Sequence, residues 1–116
     1  MKISPVIIAK DASKTIGQTL ESLKLFDEVI VYDTGSADNT IEIARKFNNT
    51  IIYSRPFEGF GESKNKAAEL AKHDWILSVD SDEVIGPKLL NLREIANDVS
   101  IVKIYIRNVI DNSSKD

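Results

Sequence analysis

SPVIIAKDASKTIGQTLESLKLFDEVIVYDTGS, residues 4–36, carries the pattern on which the fold turns. Val6, Ile7 and Ile8 form one unbroken β-branched run, residues 16–23 have helical apolar spacing, and Val29, Ile30 and Val31 form a second run. Unbroken apolar runs, unlike alternating ones, suit strands buried on both faces, as in a parallel sheet with helices above and below. Outward from this stretch, residues 41–47 read as a helix and Ile51, Ile52 and Tyr53 as a strand, giving βαβαβ. The same reading predicts a helix over 61–72, a strand over 75–79, a helix over 87–96 opened by Pro87, and a last strand over 101–107. The expected fold is α/β: a Rossmann-like three-layer α/β/α sandwich with a mostly parallel sheet. One domain is expected over residues 1–110, with residues 111–116 as a polar tail that reads as a frayed end or a cut.

Composition narrows the function. The 116 residues suit one domain, short for an enzyme with separate donor and acceptor lobes. Charged residues make up 28% with a net charge of −3 and no Lys/Arg block, which disfavours a nucleic-acid partner. The chain has no cysteine, excluding disulfides, Cys-based zinc sites and thiol nucleophiles. No window approaches the roughly 20 apolar residues needed to span a bilayer, so a cytoplasmic location is expected.

Ligands of a parallel α/β sheet sit beyond the carboxyl ends of its strands, which makes the residues just after each run informative. They are Lys10 and Asp11, then Asp33-Thr34-Gly35-Ser36, then Ser54 and Arg55, then Asp80-Ser81-Asp82-Glu83. In an extended backbone Asp80 and Asp82 face the same side and can converge on one hard cation such as Mg²⁺ or Mn²⁺. A lone DxD pair is more often structural; this one follows the buried-looking run WILSV. Asp33 precedes Gly35, where positive φ is cheap, and reads either as an acceptor for a base or ribose or as a turn-former. Ser36 or Asp38 is available to cap the following helix. Lys64 or Lys66, early in the predicted third helix, can reach a pyrophosphate, although surface lysines are usually only solvated. His73 beside Asp74 reads as a cap or surface residue, and Trp75, Phe47 and Leu77 as packing. The segment from Phe57 to Phe60 is too apolar to be merely solvated, so it either packs down or lines a pocket.

Taken together, VIIAKDASKTIGQTLESL, VYDTGSADNT, ESKNKAAELA and WILSVDSDE resemble the donor-binding half of glycosyltransferase family 2, the GT-A group of inverting enzymes. A narrower similarity is to bacterial transferases that add glucose to the lipopolysaccharide core. The resemblance implies a nucleotide-diphosphate sugar donor, a UDP-hexose in the first instance, and a saccharide or glycolipid acceptor. It implies that Asp33 contacts the uracil ring and that Pro5, Ile7 and Ala9 lie along the strand and loop beneath the nucleotide. Asp80 would contact the ribose or the metal, and Asp82 would ligate Mn²⁺ or Mg²⁺ bridging the diphosphate. Lys64 stands where the family usually has arginine, giving a point charge in place of a fork. Any peripheral membrane association would be at the inner face of the membrane. The family's catalytic base is an Asp or Glu well after the DxD. Glu94, Asp98 and Asp111 qualify by chemistry alone, so the base is unassigned and the chain is expected to stop short of it.

Other α/β readings fail on position. A receiver domain needs a phosphoacceptor Asp after the third strand, where Ser54 and Arg55 stand. A dinucleotide-binding oxidoreductase needs GxGxxG after the first strand, where AKDASKT stands. The alternative from another class is a non-catalytic nucleotide-sugar-binding module, or a domain that works with a partner lobe.

Overall fold

The computed structural model describes residues 3–86 and the backbone of Ile104–Ile106. In chain order the elements are β1 (Ile3–Ala9), α1 (Ile16–Ser22), β2 (Val29–Asp33), α2 (Thr40–Ala44), β3 (Thr50–Ser54), α3 (Phe60–Glu69), β4 (Trp75–Asp80) and β5 (Ile104–Ile106). They build one sheet in the order β3-β2-β1-β4-β5. β1 pairs in parallel with β2 and with β4, β2 with β3 likewise, and β5 is antiparallel to β4. This is the mostly parallel α/β architecture expected. The helix expected over 87–96, the boundary at residue 110, and Glu94, Asp98 and Asp111 lie outside the described residues.

Neighbouring residues of each apolar run feed opposite faces of the sheet. Ile7, Val29 and Val31 pack with Ile16, Leu20 and Leu23 from the α1 side and with Ala44 of α2, while Val6, Ile30, Tyr32 and Ile76 pack with Ala67, Ala68 and Ala71 from the α3 side. Three layers follow, and a strand buried on both sides has no polar position to alternate with. Truncating a fully buried side chain such as Leu20 to Ala would cost about 2–5 kcal/mol. Leu77 is buried, with Phe47 and Trp75 packed against the same cluster, so all three are packing residues.

One expectation needs correction, and one residue needs an account. The β3 run was expected to be buried on both faces, yet Ile51 is 42% exposed and no residue of β3 is fully covered, because β3 is an edge strand. Pro5 sits in a central strand, where its missing N–H is a defect. β1 accommodates it by pairing with β2 only from Val6↔Ile30 onward.

The amino end of the sheet is bolted by a buried carboxylate. Glu28 accepts hydrogen bonds from the Ser4 hydroxyl at 2.6 Å and from the Lys72 N–H at 2.8 Å, and the His73 N–H donates to Ser4 Oγ at 3.2 Å. His73 Nε2 lies 2.9 Å from both carboxylate oxygens of Asp27, a structural pairing far along the strands from their carboxyl ends.

Candidate functional site

From β1 the chain adds β2 and β3 on one side, then returns to lay β4 on the other. The order therefore reverses between β1 and β4, and the crevice outside the carboxyl ends at such a point is where open α/β sheets bind ligands. A cleft of about 420 Å³ lies there. Ile8, Ala9 and Lys10 come to it from the end of β1, Thr34 from β2, Phe57 and Phe60 from the β3–α3 connection, and Ser81 from the end of β4. The two phenyl rings meet edge to face at 5.1 Å and 77°, so this apolar segment lines a pocket. Gly59, between them in sequence, has φ of +92° and immediately precedes α3, a conformation that only glycine adopts cheaply.

The cleft's floor is held by two loops tied to each other. The Asp11 N–H donates to Ser36 Oγ, and the Asp11 carboxylate accepts from the Ala37 N–H at 2.7 Å. The Ala12 N–H donates to Thr40 Oγ1 at 2.8 Å and the Ser13 N–H to Asp38 at 3.1 Å. Asp11 takes φ of +51° to make this turn. Asp38 also accepts the Thr40 N–H and hydroxyl, but the N-cap position of α2 is Asn39, which makes no side-chain cap bond, and Ser36 bonds to Asp11 and Asp33. The Thr40 hydroxyl foremost, together with the Thr40 and Ser13 amides, holds the Asp38 carboxyl at about 2, below its ordinary 3.8.

Asp33 is 1% exposed. One carboxylate oxygen accepts the N–H groups of Gly35 at 3.1 Å and Ser36 at 2.9 Å, and the other accepts the Ser36 hydroxyl. Of the two readings the sequence left open, the turn-former is the one the geometry displays, with Gly35 at φ of +113°. Of Pro5, Ile7 and Ala9, only Ala9 lines the cleft; Pro5 is buried within β1 and Ile7 points into the core. Lys64 is half-buried on α3 and is not among the lining residues. Lys66 pairs with Glu58, which raises its pKa, and faces a separate groove of about 280 Å³ with Tyr32 and Arg55.

At the end of β4 the geometry differs from the extended one expected. The strand stops at Asp80, and the Glu83 N–H donates to the Asp80 carbonyl at 3.0 Å, so Ser81 and Asp82 form the middle of a turn. The Glu83 carboxylate accepts the Asp80 N–H at 3.1 Å. Asp80 and Asp82 are both exposed at this turn. Among the described residues no three His, Cys, Asp or Glu side chains converge. A hard cation here would rest on one or two carboxylates and complete its shell with phosphate oxygens and water, the ordinary habit of Mg²⁺. The donor set fits such an ion.

Sequence reading missed the support for this turn. The Ser81 carbonyl accepts the hydroxyls of Thr15 at 2.9 Å and Thr19 at 3.0 Å, and the Ile85 N–H donates to Ser22 Oγ at 3.0 Å. The signal was present: Thr15, Thr19 and Ser22 recur at helical spacing beside the apolar stripe of Ile16, Leu20 and Leu23.

Comparison with known proteins agrees with this architecture. The family model described as Glycosyl transferase family 2 matches residues 4–115. An uncharacterised glycosyltransferase of Rickettsia conorii is 37% identical over 89 residues, covering 76% of this chain and 31% of the relative. Staphylococcus aureus TarS 1-349 in complex with UDP-GlcNAc superposes with a TM-score of 0.68 at 29% identity, over 84% of this chain and 31% of the 1-349 chain. Glucosyl-3-phosphoglycerate synthase of Mycobacterium tuberculosis, in complex with Mn²⁺, UDP and glucosyl-3-phosphoglycerate, gives 0.61 at 28% identity, over 69% and 33%. The chain spans about a third of the length of the Rickettsia relative and of these two solved chains.

Proposed function

The chain belongs to glycosyltransferase family 2, and from that membership we propose that it forms the donor-binding part of an inverting transferase that uses a nucleotide-diphosphate sugar, in the first instance a UDP-hexose. The observation that carries the reading is the coincidence of the β1/β4 cleft with the Asp80–Glu83 turn at its rim. Solved relatives that hold UDP-GlcNAc, or UDP with Mn²⁺, superpose on most of this chain.

Each part of the site has a task in this reading. Ala9 and Thr34 form the floor on which the nucleoside lies, and the Phe57–Phe60 pair offers an apolar wall to a base. Lys10 lends positive charge to an anionic donor from the β1 side. Asp33 acts on the uracil side by holding the Gly35–Ser36 turn in shape, so its role there is indirect. Lys64 would need to reach in from α3, beyond the residues that line the cleft. Asp82, with Asp80 beside it or on the ribose, would hold Mn²⁺ or Mg²⁺. Such an ion, when bound, neutralises the departing nucleoside diphosphate, a Lewis-acid contribution of several kcal/mol. The acceptor is a saccharide or glycolipid of the lipopolysaccharide type, reached from the cytoplasmic side; no helix among the described residues is long and apolar enough to cross a membrane.

Calorimetric titration with UDP and UDP-glucose, each with Mn²⁺ and with a chelator, tests the reading. Metal-dependent binding of both is expected. A folded chain that binds neither, at millimolar ligand with Mn²⁺ present, would contradict it.

A further inference from the structure

The Asp80–Glu83 turn is closed by its own hydrogen bonds between Asp80 and Glu83, and it is also tied to a helix. Two of its four residues are exposed carboxylates, and its central carbonyl, that of Ser81, is directed back at α1. There it meets the Thr15 hydroxyl at 2.9 Å and the Thr19 hydroxyl at 3.0 Å. One turn further along the helix, Ser22 Oγ accepts the Ile85 N–H at 3.0 Å, and Ile85 itself is buried in the core. Residues 15, 19 and 22 fall on one stripe of a helix, so a single face of α1 grips both ends of the segment that carries Asp82.

We infer that Thr15, Thr19 and Ser22 are positioning residues that set how Asp82 is presented to a cation and a donor diphosphate. The inference rests on the donor-site reading above. Its physical basis is the location of the Ser81 carbonyl, which belongs to the peptide joining Ser81 to Asp82. Fixing that oxygen fixes the peptide plane and, through it, the direction from which the Asp82 side chain leaves the backbone. Ligating groups need placement within a fraction of an ångström, supplied by neighbours that are themselves locked by packing and hydrogen bonds.

A purely structural tie would leave a different trace. Each threonine hydroxyl has one proton, and each has a second acceptor three or four residues back, at or before the start of α1: the Thr15 carbonyl lies 3.3 Å from Thr19 Oγ1 and the Ala12 carbonyl 3.5 Å from Thr15 Oγ1. Those are ordinary local bonds of threonine to nearby backbone, and here the shorter contacts are the ones to Ser81. Ser81 and Thr15 are half-buried and Thr19 is fully buried, and valine matches threonine closely in volume. Loss of the hydroxyls therefore frees the turn without opening a cavity, and the fold should survive.

The test uses the full chain with Thr15 and Thr19 both changed to Val, which removes the hydroxyls at nearly constant volume, and with both changed to Ser, which keeps them. UDP affinity is measured with Mn²⁺ and with a chelator, alongside thermal unfolding. The Val pair is expected to weaken Mn²⁺-dependent UDP binding by about 10- to 100-fold, to leave metal-free binding unchanged, and to remain folded. The Ser pair should recover affinity to within about threefold of wild type. Unchanged Mn²⁺-dependent affinity in a folded Val pair overturns the inference, as does a Ser pair as weak as the Val pair. Should the Val pair not fold, Thr15→Val alone, at a half-buried site, carries the same comparison with Thr15→Ser. A wild-type chain that binds no UDP with Mn²⁺ sinks the donor-site reading itself, and the positioning role falls with it.

Discussion

At the amino end of the sheet the Glu28 carboxylate is 5% exposed and takes hydrogens from Ser4 and Lys72, whereas at the carboxyl end Asp80 and Asp82 stand exposed beside a cleft. A carboxylate that is buried and answered by neighbouring donors locks geometry; one exposed at the surface is within reach of an incoming ion. Asp33 sharpens the contrast. It stands at the carboxyl end, as a ligand-binding residue would, yet it is buried and accepts three hydrogen bonds from its own turn. Position at a strand end nominates a residue, and its donors show which task it performs.

The comparison can be broken from either side. The largest effect is expected for Asp82→Ala, which should lower Mn²⁺-dependent UDP affinity by about 100-fold or more while circular dichroism and thermal unfolding stay close to wild type. Full affinity in the folded variant would remove Asp82 from the site. Glu28→Ala should behave in the opposite way: it strands the Ser4 hydroxyl and the Lys72 N–H, costing about 1–3 kcal/mol of stability in denaturant titration, with UDP affinity unchanged. A loss of affinity there would mean that the two ends are coupled.

How much of this was legible in the sequence follows the same divide. The strands could be read because a sheet buried on both faces demands apolar runs, which β1 and β2 carry unbroken and β4 carries with Ser78 as its one interruption before Asp80. The edge position of β3 was not legible, since Ile51, Ile52 and Tyr53 read like any central strand and only the sheet order exposes them. The DSD segment was found by composition, but its geometry was read as extended; the turn depends on the Glu83 amide reaching back to Asp80. Phe57 and Phe60 were flagged by apolarity in a loop, without a means of choosing between packing and lining. The Thr15–Thr19–Ser22 stripe was passed over because hydroxyls on a helix ordinarily face water, and what they grip is sixty or more residues away.

Two smaller effects refine the account of the cleft. Gly59→Ala adds a methyl group that meets nothing within 4 Å, so its cost is backbone strain at φ of +92° alone. About 1–3 kcal/mol of stability should be lost, with weaker nucleotide binding as Phe57 and Phe60 shift. The smallest effect concerns acid. Asp38 is held at about 2 against an ordinary 3.8. A depressed carboxyl stabilises the fold above the unfolded value and loses that contribution as pH falls through the folded one. The tie between the loops should therefore weaken between about pH 4 and pH 2, and Asp38→Asn should remove that part of the acid dependence. An Asp38→Asn chain with the wild-type acid profile would show that other carboxyls govern it.

Hydrogen exchange with and without UDP and Mn²⁺ tests most directly the claim that the carboxyl end binds while the amino end holds. Saturating ligand should slow exchange over residues 9–13, 34–37 and 80–85 and leave the amides of Glu28, Lys72 and His73 as they were. Protection confined to the amino end, or none at saturation, would contradict it.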